Sequence, residues 1–98
     1  MPVVEACLAV REYISKTPIE LDALLWAIMY RSGCRAEVPR KEKPYRTYTL
    51  GDHITVEHYK WFTIEIDCEE VKEYIRLSDV IMVYDKISNK EFIVRYTR

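Results

Sequence analysis

The sequence predicts a single α+β domain in which an N-terminal helical hairpin packs on a small antiparallel sheet. Three observations lead to this fold class. Apolar residues recur at helical spacing in the first third of the chain, whereas the second half alternates between apolar and polar residues. The 98 residues, of which 49 % are apolar, are enough for one buried core. The predicted order of elements is ααββαββ.

The first third of the chain has the pattern of two helices joined by a short connection. Apolar residues at helical spacing predict the first helix over residues 3–15. The segment Thr17-Pro18-Ile19-Glu20 resembles a capping box with proline at the first helical position, so it predicts the start of the second helix. That helix is expected to run to about Ser32 and to end at Gly33.

A linker and two strands are expected to follow the second helix. Residues 34–44 contain two prolines among charged residues, which is typical of a linker. Residues 45–50 predict a strand, and a second strand from His53 could reach Ile66. Because such a strand would be unusually long, we expect a bend or bulge near residues 58–60.

The last third of the sequence predicts a short helix and a hairpin. The segment Asp67-Cys68-Glu69-Glu70 has the pattern of a helix N-terminus, and the apolar residues after it favour a short third helix. Residues 80–84 and 92–96 then predict a β-hairpin. Asn89 falls in its turn, where a left-handed backbone conformation is needed.

The composition indicates a hot habitat more clearly than it indicates a function. The chain has no glutamine and one asparagine, while charged residues make up 32 % of it. These features favour a hyperthermophile, either an archaeon or a virus of one. The apolar run over residues 23–30 is too short to span a bilayer, and no signal-peptide pattern is visible. We therefore expect a cytoplasmic protein, in a host cell if it is viral, with no membrane partner.

Three cysteines, Cys7, Cys34 and Cys68, are an odd number and form no paired-thiolate zinc motif. The interpretation we favour is three small buried hydrophobic residues. One disulfide with a spare thiol stays open as the alternative, since hyperthermophile proteins tolerate intracellular disulfides.

Charge is unevenly distributed along a chain whose net charge is −1. The linker is basic and interleaved with aromatic residues, a pattern that suits phosphate contact and base stacking, whereas residues 65–73 are acidic. The alternatives are a solvated loop, or a loop that pairs with the acidic segment within a chain or between subunits. The residues predicted to bind DNA or RNA are Arg40, Lys41, Lys43, Tyr45, Arg46, Tyr48, Lys60 and Trp61.

The second predicted helix is apolar around most of its circumference, so it needs cover on more than one side. The strand over residues 80–83 is apolar on both faces, so it also needs cover on both sides. A second copy of the chain would provide that cover, and we expect a homodimer. The residues predicted at its interface are Trp26, Met29, Tyr30, Ile81 and Val83.

Three functions are compatible with the sequence. The leading hypothesis is an accessory or interaction protein, homodimeric and without enzymatic activity. The first alternative is a nucleic-acid-binding module that uses the basic linker and aromatic residues of the sheet. The second is a small nuclease-like hydrolase built on His53, His58 and nearby carboxylates. No catalytic, metal-binding or cofactor motif is present, so we expect no small-molecule cofactor and no metal site.

Overall fold

The structure, a computed structural model that describes residues 2–96, has two helices packed against one face of a curled antiparallel sheet. The α+β class is therefore confirmed. Six strands form the sheet in the order β1-β6-β5-β4-β2, and β3 pairs with the other end of β4. The elements are α1 (Pro2–Ile14), β1 (Ile19–Glu20), α2 (Leu21–Ser32), β2 (Arg35–Glu37), β3 (Arg46–Leu50), β4 (Ile54–Cys68), β5 (Val71–Asp85) and β6 (Lys90–Tyr96).

The antiparallel pair of β4 and β5 is the longest feature of the molecule. Each strand has 15 residues, and their ladder runs from the pair Ile54–Asp85 to the pair Cys68–Val71. This hairpin accounts for the elongated outline of 44 × 24 × 22 Å. Every other strand pairs with one of these two or, in the case of β1, with their neighbour β6.

The predicted third helix is wrong, because the residues assigned to it form the turn and first half of β5. Glu69 and Glu70 make the two-residue connection between β4 and β5, and Glu69 has a φ of 60°. The Glu70 amide donates to the Cys68 carbonyl oxygen at 2.6 Å, which closes a γ-turn. The apolar residues after this turn also fit a period of two, and pairing with β4 selects the strand.

The start of the second helix also differs from the prediction. The Thr17–Pro18 peptide bond is cis, and Ile19 and Glu20 pair with β6, so α2 begins only at Leu21. Glu20 occupies the N-cap position without a side-chain cap hydrogen bond, and the predicted capping box is therefore absent. The predicted end at Gly33 is confirmed, since Gly33 has a φ of 72° and donates its amide to the Met29 carbonyl oxygen.

The last hairpin lies where the sequence predicts it, whereas part of the predicted linker is a strand. Residues 38–45 have no helix or strand, but Arg35–Glu37 at the start of the predicted linker form β2. The hairpin of β5 and β6 turns where expected, and Asn89 has a φ of 57°. Its side-chain oxygen also accepts a hydrogen bond from the Tyr84 hydroxyl at 2.6 Å.

The expected irregularity near residues 58–60 is present as a change of face in both long strands. Lys60 and Asp79 lie opposite each other, but they are not paired, although the register is the same on both sides of them. Asp79 has a φ of 52°. Tyr59 and Phe62 both contribute to the core, whereas strict alternation would place them on opposite faces. The interruption thus reverses which residues of each strand face the helices.

The core lies between the helices and the sheet. Its largest fully buried side chains are Tyr59, Phe62, Leu24, Ile28, Ile64, Ile66, Met82, Ile93 and Val80. Burial, together with the nearby Glu57 carboxylate, raises the pKa of the Tyr59 hydroxyl well above its usual range, so this phenol stays neutral. Outside the core, Arg31 on α2 links the helices through ion pairs to Glu5 at 3.2 Å and Glu12 at 2.6 Å on α1.

The cysteines do not form the three buried thiols that we favoured. Cys34 and Cys68 form a disulfide, and Cys7 is free and exposed on α1. The sequence alternative of one bridge and one spare thiol is the correct one. Cys34 follows the end of α2, and Cys68 ends β4, so the bond joins the helical layer to the tip of the long hairpin.

We expect removal of this bond to lower the free energy of unfolding substantially. The bond closes a loop with a sequence separation of 34 residues. A loop of that length corresponds to about 3–4 kcal/mol of chain entropy in the unfolded state. Denaturant unfolding of Cys34→Ala with Cys68→Ala measures the loss. The matched control is Cys7→Ala, which should change stability by less than about 0.5 kcal/mol; equal effects from the two variants would contradict the assignment.

Candidate nucleic-acid interface

The sheet face opposite the helices, called here the helix-free face, carries two rows of side chains that cross the strands. Both rows follow from the register of neighbouring strands. The first row is Arg46, His58, Ile81 and Arg95, one residue from each of β3, β4, β5 and β6. The second row is Tyr48, Val56, Val83 and Phe92. Val56 is buried although it lies outside the main core, which shows that this face has an apolar centre of its own.

Four large aromatic side chains of this face are open to solvent. They are Tyr45, Tyr48, Trp61 and Tyr74, and their exposed fractions lie between 38 % and 64 %. Strand alternation explains two of them, because Trp61 precedes the core residue Phe62 and Tyr74 precedes Ile75, which packs against the core. Exposed aromatic side chains on one face are a feature to examine as a binding surface.

Arginine side chains lie against two of these aromatic rings. The Arg46 guanidinium lies 5.3 Å from the centre of the Tyr48 ring, and that of Arg76 lies 4.4 Å from the Trp61 ring. Each pair is within the range of a cation–π interaction. The pairs place a positive charge next to a flat apolar surface, which is the combination that a nucleotide's phosphate and base require.

Two acidic residues of this face, Glu65 and Asp67, have basic partners. Glu65 is buried, and its Oε1 lies 3.2 Å from the Lys72 Nζ and 3.4 Å from the Tyr74 hydroxyl. The hydrogen bond with Glu65 raises the pKa of the Lys72 amine above its ordinary value. Asp67 forms an ion pair with Arg35 at 3.3 Å. Two of the five acidic residues in the acidic segment thus lie in ion pairs on this face.

The structure brings together only part of the predicted nucleic-acid set. Tyr45, Arg46, Tyr48 and Trp61 contribute to the helix-free face. The other predicted residues do not line this face. Arg40 and Lys43 are exposed in the loop before β3, and Lys41 in the same loop forms an ion pair with Glu91. Lys60 is exposed at the change of face.

Three residues of the face were missed by the sequence interpretation. Tyr74 and Arg76 lie in the segment that was assigned to a third helix, so their alternation with Ile75 and Leu77 was overlooked. Arg95 lies in the last predicted strand, for which the sequence indicates no binding role. The period of two in β5 identifies Tyr74 and Arg76, which share a face with Trp61. Arg95 reaches the same side of the sheet only because the register of β6 on β5 shifts between Ile81 and Met82, and that shift is not visible in the sequence.

The predicted dimer residues belong to two separate surfaces. Trp26 is 67 % exposed and Tyr30 is 82 % exposed, one turn apart on the outer side of α2, whereas Met29 packs against the core. Ile81 and Val83 are half-buried on the helix-free face, on the other side of the sheet. The predicted set is therefore not a single interface.

The two histidines lie apart. His53 is in the turn between β3 and β4, and His58 is within β4. The four residues between them are extended, so the two Cα atoms are about 16 Å apart. Between Pro2 and Tyr96, no three His, Cys, Asp or Glu side chains are grouped to hold a metal ion. Cys68 is in the disulfide and is not available as a nucleophile.

His58 has an unusual environment at the centre of the helix-free face. Its ring centre lies 5.9 Å from that of Tyr45 and 5.8 Å from that of Tyr48. Its Nε2 atom is buried and has no hydrogen-bond partner among the described residues. Next to it is a cavity of about 260 Å³ lined by Tyr45, His58, Asp79, Ile81 and Arg95. An unpaired buried nitrogen beside a cavity marks this point as a candidate contact for a ligand.

Comparison with known proteins gives no further guide to function. The chain matches no protein-family model, and no curated protein or solved structure is significantly similar to it. No helix among the described residues has the length and apolar character needed to cross a membrane.

Replacing His58 should increase stability, because the unpaired nitrogen disappears while a ring stays between the two tyrosines. We expect His58→Phe to raise the free energy of unfolding by about 1 kcal/mol, as measured by urea denaturation at neutral pH. His53→Phe is the matched control in the exposed turn, and it should change stability by less than about 0.5 kcal/mol. A loss of stability in His58→Phe would show that the imidazole is satisfied in the folded protein.

Proposed function

We propose that this protein binds single-stranded nucleic acid on the helix-free face of its sheet. The observation that carries the proposal is the pairing of exposed aromatic rings with arginines, Arg46 on Tyr48 and Arg76 on Trp61. Aromatic side chains stack on bases of any sequence, and neighbouring cations neutralise the phosphates that follow. Both groups are present here on one surface.

The shape of the surface favours a single strand over a duplex. Base stacking requires unpaired bases that can lie flat on an aromatic ring, and a duplex does not offer them. The helices are poor candidates for insertion into a DNA groove, since α1 and α2 both contribute their apolar sides to the core. The exposed side of α2 carries Trp26 and Tyr30, and it has no group of cations.

Salt dependence should be moderate, because the net charge of the chain is only −1 and the cations of the face are few. Contact with three or four phosphates gives a slope of about −2 to −3 in a plot of log affinity against log salt, at roughly −0.7 per phosphate for a single strand. A salt series with a labelled oligonucleotide measures this slope.

The aromatic residues of the face should determine affinity. We expect Tyr48→Ala and Trp61→Ala each to weaken binding of a fluorescent single-stranded ten-mer by about 1–3 kcal/mol, as loss of one stacked base would. Fluorescence anisotropy at low salt gives the affinities. Arg76→Ala should weaken binding and also reduce the salt slope by roughly 0.7.

Trp26→Ala is the matched control for these variants, because it removes an exposed tryptophan from the helical side of the same protein. It should leave affinity unchanged. The proposal is wrong if the unmodified protein binds neither DNA nor RNA single strands at low salt, or if Trp26→Ala weakens binding as much as Trp61→Ala.

The second candidate function is self-association through α2, which would make the protein a homodimeric interaction factor. Trp26 and Tyr30 favour it, because two large aromatic side chains lie exposed one turn apart on one helix. This surface is distinct from the helix-free face, so dimerisation and nucleic-acid binding are compatible.

Sedimentation velocity at micromolar concentration tests this second candidate. We expect a dimer that becomes a monomer in Trp26→Lys with Tyr30→Lys, since charges replace the apolar contact. Tyr48→Lys, which changes an exposed tyrosine on the other side of the sheet, should remain dimeric. A monomeric unmodified protein would rule out the candidate.

A further inference from the structure

The cavity beside His58 has a chemical character that the rest of the helix-free face lacks. Tyr45 lies at its rim and Ile81 in its wall, and Asp79 and Arg95 add one negative and one positive side chain. Neither Asp79 nor Arg95 forms an ion pair with another residue between Pro2 and Tyr96. A carboxylate and a guanidinium thus line the same small space without neutralising each other directly.

The size of the cavity, about 260 Å³, suits one flat ring system and is below the range of pockets that enclose larger ligands. Tyr45 offers a ring for stacking, and Ile81 offers an apolar contact. The cavity lies on the first row of the face, which also contains Arg46, so the cavity is next to a cation that the proposed strand would contact. The occupant that these features suit is a single base of that strand.

The polar groups discriminate among the bases. A carboxylate only accepts hydrogen bonds, and it accepts two when two donors lie side by side. Guanine has such a pair in N1–H and the N2 amino group, whereas adenine, cytosine and uracil do not. Guanine also presents O6 and N7 together, the acceptors that an arginine fork matches best. One carboxylate and one guanidinium are therefore the complement of guanine.

We infer that this cavity is a guanine pocket, in which Asp79 accepts hydrogen bonds from N1–H and the N2 amino group and Arg95 donates to O6 and N7. The buried Nε2 of His58, which lacks a partner in the free protein, is a further polar contact for the base. The inference extends the proposed binding of single strands and rests on it, because a bound strand supplies the guanine.

The backbone at Asp79 allows a conservative substitution that tests its carboxylate. Asp79 has a φ of 52° inside a strand, a conformation that aspartate and asparagine adopt more readily than other residues with side chains. This conformation belongs to the change of face that gives the cavity its place between β4 and β5. Asparagine tolerates the same conformation, so Asp79→Asn removes the carboxylate without disturbing the fold.

Two sets of titrations on the isotope-labelled protein test the inference by NMR. The first uses the 5′-monophosphates of guanosine, inosine, adenosine and uridine. We expect guanosine monophosphate to bind about tenfold or more tightly than the other three, because inosine lacks the N2 amino group and the others lack the paired donors. In Asp79→Asn, the affinities for guanosine and inosine monophosphates should differ by no more than about twofold.

The second set uses a ten-mer of uridine and the same ten-mer with one central guanosine. The guanosine should increase affinity for the unmodified protein and not for Asp79→Asn, so the ratio of the two ten-mer affinities should fall to about one in the variant. Binding of both ten-mers without a guanosine preference overturns the pocket and leaves the proposed function standing. Binding of guanosine monophosphate that depends on Asp79, with no binding of either ten-mer, supports the pocket and overturns the proposed function. Absence of all binding overturns both.

Discussion

The long antiparallel ladder between β4 and β5 is the element on which the rest of the molecule depends. Its change of face at Lys60 and Asp79 lets one pair of strands serve two surfaces. On one side the strands supply Tyr59, Phe62 and Val80 to the core beneath the helices. On the other side they carry the exposed aromatic rings and the cavity beside His58. Without the interruption, strict alternation would send either Tyr59 or Phe62 away from the core.

Two helices cover only one side of this sheet, and the disulfide between Cys34 and Cys68 ties that layer to the far end of the hairpin. The helices therefore leave the other side of the sheet uncovered. Two of its aromatic rings lie against arginines, and Glu65 and Asp67 are in ion pairs, which is the basis of the proposed binding of nucleic acid. The unpaired nitrogen of His58 is a cost to stability that a bound base would relieve.

Local signals in the sequence predicted the α+β class, the end of α2 at Gly33 and the turn at Asn89, because each depends on a few neighbouring residues. The prediction of a third helix is wrong for a different reason. Residues after Glu70 fit both a helical and an alternating period. Only pairing with β4, which precedes them across a two-residue turn, decides between the two. The same error concealed Tyr74 and Arg76. The cavity was not predictable, since it joins residues from four separate parts of the chain.

The most direct test of the account is a map of amide chemical-shift changes when a short single-stranded oligonucleotide is added to the labelled protein. The account predicts that the largest changes fall on the strands around Tyr48, His58 and Arg95, with α1 and the exposed side of α2 unaffected. Changes centred on Trp26 and Tyr30, or no changes at low salt, would contradict it.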